Sequence, residues 1–151
     1  MKIIKKYLPN NSPADTKRYF TSEPLFVTIH WVGPYPGQTP DIVRDYWIAS
    51  RSEASAHVII KDDVVMECWP LNKIAYHAGH SIGNDYSIGI EIIPENKVGR
   101  FSEQSLKTLK EYIDTYLPNK PIVRHYDWSG KLCPAYYCVS EHWTELKEKL
   151  I

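Results

Sequence analysis

Short β-branched runs alternate along this chain with longer stretches of helical periodicity. That pattern predicts an α/β fold, in which one domain has a central mixed β-sheet flanked by helices. Residues 25–31 (LFVTIHW), 55–60 (SAHVII), 64–69 (VVMECW), 87–93 (SIGIEII) and 122–124 (IVR) read as strands. Stretches opening at Thr39, Ser102 and Ser140 read as capped amphipathic helices. At 151 residues the chain is long enough to bury a substantial core as one domain spanning 1–151.

Composition narrows the function classes. Lys and Arg total 18 and Asp and Glu total 18, so the formal net charge is zero. That balance gives no electrostatic footprint for nucleic acid or for an acidic membrane surface. No apolar run is long enough to span a bilayer, and the start, MKIIKKYLPNN, is not a secretory signal peptide. The 3 cysteines, Cys68, Cys133 and Cys138, are odd in number and irregularly spaced. A disulfide framework is therefore not expected, and synthesis in a reducing cytoplasm is. Some of the 5 Trp and 11 Tyr must fill the core, and others suit the wall of a groove.

In chain order, residues 1–24 read as an irregular lead-in rich in Pro, Asn and Ser. In the strand 25–31 alternation puts Leu25, Val27 and Ile29 on one face and Phe26, Thr28 and His30 on the other, with His30 at the strand end. Thr39-Pro40-Asp41 opens a helix whose stripe of Ile42, Val43, Tyr46 and Trp47 is expected to be core packing. The runs 55–60 and 64–69 form a hairpin about Lys61-Asp62-Asp63. Residues 70–86 read as a long polar loop of the kind that carries function. In 87–93, Ile88, Ile90 and Ile92 share one face, while Gly89, Glu91 and Ile93 share the other. Glu91 is then a carboxylate in an apolar strand and requires a cation or a polarised water as partner. Ser102 opens a helix bearing Leu106, Leu109 and Ile113, which Pro118 and Pro121 end. Ser140 caps a last helix that buries Trp143, Leu146 and Leu150.

The candidate chemistry gathers around residues 124–134, RHYDWSGKLCP. Imidazole and thiolate are zinc donors, and zinc takes three or four protein ligands. His125 and Cys133, eight positions apart, need a third ligand, for which His30 is the candidate. Each has a plainer reading on its own: a hydrogen-bonded strand-end histidine, a loop histidine and a small buried thiol. Only the combination points to a metal, and three protein ligands leave a fourth position open for catalysis. Glu91 then suits the general base, and Lys131 suits the donor that stabilises an oxyanion. The plainer reading of Lys131 is a solvated surface lysine.

TIHW, SAHVIIKDD, AYHAG, SIGIEI and RHYDWSGKLCP occur in this order between Phe26 and Trp143. Together they resemble the zinc-dependent N-acetylmuramoyl-L-alanine amidases of the type 2 family, which includes phage endolysins and shares its fold with peptidoglycan recognition proteins. The resemblance implies a zinc site in a groove at the sheet edge, held by His30, His125 and Cys133. It implies Glu91 and Lys131 as catalytic residues and a cut between N-acetylmuramic acid and L-alanine of the stem peptide. His77, in AYHAG, matches a substrate-contacting position, and His57 matches one for which a structural or orienting role is expected. Trp31, Tyr76, Asn84 and Trp128 are expected in the groove wall. Two positions depart from the family pattern: Ala135-Tyr136 follows Cys133-Pro134 where relatives often have His-Arg, and Ala56 stands where some members carry tyrosine.

The resemblance further implies bacterial peptidoglycan as partner, with no nucleic acid and no membrane insertion; a monomer is expected, acting on the wall after holin-mediated release or else recycling wall fragments inside the cell. The alternative it leaves is a peptidoglycan-binding module on the same fold without catalysis. Such modules typically lack the cysteine ligand, which Cys133 supplies here.

Overall fold

The structure, a computed structural model, describes residues 1–151. Its strands are β1 (Lys2–Lys5), β2 (Phe26–Trp31), β3 (Val58–Lys61), β4 (Val64–Glu67), β5 (Ser87–Ile92) and β6 (Ile122–Arg124). Its helices are α1 (Pro40–Ala49), α2 (Ser81–Tyr86), α3 (Glu103–Tyr116), α4 (His125–Ser129) and α5 (Ser140–Lys149). The six strands form one mixed sheet in the order β1-β4-β3-β5-β2-β6. Only the β3–β4 hairpin pairs antiparallel. The lead-in expected to be irregular contains β1, which pairs parallel to β4 from Lys2 opposite Val64 to Lys5 opposite Glu67. Such a short edge strand forms because a partner some sixty residues away offers it a ladder, and the local sequence alone carries little sign of it. The loop at 70–86 likewise closes with the short helix α2.

Alternation along the strands divides the molecule into two layers of core. Val27 and Ile29 of β2, Val58 and Ile60 of β3, and Ile88, Ile90 and Ile92 of β5 face α3 and α5. There they meet Leu106, Leu109, Tyr112, Trp143 and Leu146. Burying each aliphatic side chain contributes about 1.5–3 kcal/mol, which makes this side the main source of stability. On the opposite face Ile59, Met66 and Ile93 pack with Val43 of α1 and with Leu8, Ala14 and Trp69. Thr39 caps α1 by accepting from Ile42 N, and Ser102 caps α3 by accepting from Ser105 N, both as expected. Ser140 is the first residue of α5 and not its cap, which falls at Val139 without a side-chain bond. The α1 face of the sheet is only partly covered, and it is the face toward which His30 and Glu91 point.

Candidate active site

The site forms where three parallel strands end, the usual place for a ligand in an open α/β sheet. β2 and β5 run side by side with His30 directly opposite Glu91, so both side chains rise from one face as neighbours. β6 pairs with β2 through Ile29 opposite Arg124, which delivers the next residue, His125, to the same end. Asp127 accepts from the Arg124 backbone N–H and pairs with its guanidinium, fixing the turn into α4. The backbone N–H of Tyr126 then donates to the Cys133 carbonyl at 3.0 Å, folding the 130s loop back over the strand end.

These contacts bring together the three expected ligands. His30 Nδ1 lies 3.1 Å from His125 Nδ1 and 3.7 Å from Cys133 Sγ. One donor atom from each residue falls within 4.8 Å of the others, and all three residues are buried. Around a tetrahedral zinc, Zn–N and Zn–S bond lengths imply donor separations of about 3.3 Å for N–N and about 3.6 Å for N–S. The two separations measured from His30 match those spacings. Burial holds His30 well below the usual histidine range, with His77 and His125 adding to the effect. It lowers His125 to about 4, helped by Lys131. Both rings are thus neutral lone-pair donors near pH 7. Burial pushes the Cys133 thiol up to about 12, so its thiolate needs a cation beside it. One carboxylate oxygen of Glu91, Oε2, is buried with no hydrogen-bond partner. Burial raises this carboxyl to about 8 against the opposing pull of Lys131. Two neutral imidazoles, a thiol and an unpartnered carboxylate facing one another are the donor chemistry of a cation site.

A groove of about 430 Å³ runs away from Glu91 and Lys131 along α1. Its wall is aromatic, with Trp31, Tyr35, Tyr46 and Trp47. The helix expected to be core packing therefore buries Pro40 and Val43 but turns Tyr46 and Trp47 to the groove. Trp47 also packs against the core beside Val43, and Tyr46 is the one of the pair left exposed. Trp31 lines the groove, whereas the other residues expected in its wall make different contacts. Trp128 donates from Nε1 to Thr28 Oγ1 at 2.9 Å and packs edge-on to Phe26. Asn84 Oδ1 accepts from the backbone N–H groups of His77 and Ala78, at 2.9 and 2.7 Å, and pins their loop. Tyr76 is exposed.

His77 is buried beneath His30, its Nδ1 2.9 Å from His30 Nε2 and its Nε2 3.2 Å from the Ser87 carbonyl. Both ring nitrogens are used inside the protein, which favours an orienting role over the expected contact with substrate. His57 is fully buried. It accepts from Gly89 N at 3.0 Å and sits 2.6 Å from the Lys73 carbonyl, so its task is structural, as expected.

A sequence profile of the N-acetylmuramoyl-L-alanine amidase family matches residues 20–136, and the chain belongs to this family. It is of the type 2, phage endolysin-like kind. It is 32% identical over 144 residues, 87% of its length, to the N-acetylmuramoyl-L-alanine amidase XlyA of Bacillus subtilis (strain 168). It spans 46% of the length of that relative. The solved catalytic domain of XlyA superposes with a TM-score of 0.79 at 26% identity, covering all of both chains. A mutant endolysin from Bacillus subtilis superposes at 0.78 with 25% identity, covering 99% of each.

Proposed function

We propose that this chain is a zinc-dependent N-acetylmuramoyl-L-alanine amidase catalytic domain. It hydrolyses the amide between the lactyl group of N-acetylmuramic acid and L-alanine of the stem peptide. The observation that carries this reading is the buried trio His30, His125 and Cys133 beside Glu91 at the mouth of an aromatic groove. The three ligands would hold the metal. When bound, zinc supplies a Lewis acid that polarises the scissile carbonyl and brings the pKa of the attacking water down to about 7.

The remaining work falls to the chain itself. Glu91 takes a proton from the attacking water as the new carbon–oxygen bond forms. It returns that proton to the alanine nitrogen as the carbon–nitrogen bond breaks. Lys131, exposed at the groove mouth, places its ammonium against the negative charge that builds on the carbonyl oxygen. The aromatic wall of Trp31, Tyr35, Tyr46 and Trp47 binds the flanking glycopeptide and keeps the amide over the ligands. The kinship with endolysins supports action on the bacterial wall, and a monomer made in the cytoplasm and released through a holin is proposed with it.

The test is mass spectrometry of purified peptidoglycan digested with zinc-loaded protein, with Glu91→Ala alongside. Free stem peptides beginning with L-alanine, produced by the wild type alone, are expected, with zinc content unchanged in the variant. Cuts inside the stem peptide, or intact glycopeptide with the protein bound to it, would overturn the amidase reading.

A further inference from the structure

We propose that His77 is a positioning residue for the metal: it locks His30 in the tautomer protonated on Nε2, so that Nδ1 always presents its lone pair to the ion. This rests on the reading that His30, His125 and Cys133 hold zinc.

The relay is anchored at Ser87. Its backbone carbonyl can only accept, and His77 Nε2 lies 3.2 Å from it and 3.4 Å from Ser87 Oγ. His77 Nε2 therefore carries a proton. A doubly protonated ring would be a buried cation, and none of its hydrogen-bond partners is a carboxylate. Its other nitrogen, Nδ1, is then a bare acceptor. Nδ1 lies 2.9 Å from His30 Nε2, so the proton between them belongs to His30. With its one proton on Nε2, His30 has a free lone pair on Nδ1, the atom that faces His125 and Cys133.

The anchor is itself held. Ser87 Oγ donates to the Gly83 carbonyl at 2.6 Å, which leaves Thr28 Oγ1 as the donor in the 2.8 Å contact between the two hydroxyls. Thr28 Oγ1 in turn accepts from Trp128 Nε1. The His77 ring has no freedom to turn, because Asn84 fixes its backbone and the ring lies flat against Gly89. A Cβ built at position 89 would stand 2.6 Å from His77 Cγ. Donation thus runs from His30 through His77 to Ser87, and a second run from Trp128 through Thr28 ends on the same serine and holds it in place. Partners of this kind behind a metal ligand typically contribute 10- to 100-fold in metal affinity.

Two measurements test the role without any peptidoglycan, so they can fail while the amidase reading stands. The first is a long-range ¹H–¹⁵N spectrum of the zinc-loaded wild type. The expected result is Nε2 protonation of both His77 and His30, with zinc on His30 Nδ1. Zinc on His30 Nε2, or a proton on His77 Nδ1, would overturn the proposal, and this holds whether or not any variant folds. The second is zinc affinity by chelator competition. His77→Leu, which fills the space without an acceptor, is expected to weaken binding about 10- to 100-fold. His77→Asn, whose Oδ1 accepts where Nδ1 stood, is expected to recover most of it. Wild-type affinity in the leucine variant, or equal loss in both variants, would refute the positioning role.

Discussion

At the scale of single residues, the site depends on one strand position being a glycine. Gly89 lies opposite Thr28 and two residues before Glu91, and the space a side chain would fill is taken by the His77 ring. Even one methyl group there meets ring atoms at 2.6–2.9 Å, and the ring is held by Ser87 and cannot retreat. Gly89→Ala is therefore expected to cost about 1–3 kcal/mol by overpacking and to lower zinc affinity through displacement of His30. Urea unfolding and chelator competition on the same samples check both parts. Unchanged stability would mean that the ring has room to move. Glu91, by contrast, is half-buried with Oε2 unpartnered, and Lys131 is the neighbour that offsets part of the cost of its charge.

At the scale of elements, helix caps and helix faces separate stability from function. Ser102 caps α3 through Ser105 N and also donates to Asp62 Oδ1 in the β3–β4 turn, and neither Ser102 nor Asp62 lines the groove. Ser102→Ala should lower unfolding free energy by about 1 kcal/mol and leave turnover at saturating substrate unchanged. Thermal melts and a turbidity assay on cell walls would show the two effects apart. α1 has the opposite character. Tyr46 lines the groove and is 66% exposed. Tyr46→Ala should leave the melting temperature almost unchanged, as surface substitutions do, within about 0.5 kcal/mol. KM for soluble muropeptide should rise while kcat holds. A fall in kcat at constant KM would place Tyr46 outside the substrate wall.

For the whole molecule, the histidines tie folding to pH. His57 is fully buried with both nitrogens bonded, and burial lowers it from 6.5 to about 4. The unfolded chain therefore takes up the proton first as pH falls. Its contribution to stability is complete above 6.5 and is lost progressively down to about 4. Between pH 7 and pH 5 this histidine alone accounts for about 2 kcal/mol. His77 and His125 are lowered by burial as well and act in the same direction. Urea titrations in chelator at the two pH values should show the midpoint falling at pH 5. An unchanged midpoint would mean that these rings accept protons without unfolding. No helix is long and apolar enough to cross a membrane.

Much of this protein is legible along the chain. The β-branched runs became β2 to β6, the caps at Thr39 and Ser102 were written in local residues, and His30, Glu91, His125, Lys131 and Cys133 stood out by type. These signals are local, because alternation, capping and donor chemistry depend on a residue and its near neighbours. What folding alone settled is non-local. β1 exists only through its pairing with β4, and strand order set His30 opposite Glu91. The β2–β6 register brought His125 to the same end. The tasks of His77, Asn84 and Trp128, and the turning of Tyr46 and Trp47 into a groove, follow from which surfaces the sheet left covered or open. Such assignments depend on hydrogen bonds and packing between segments tens of residues apart, and no window of sequence contains both partners.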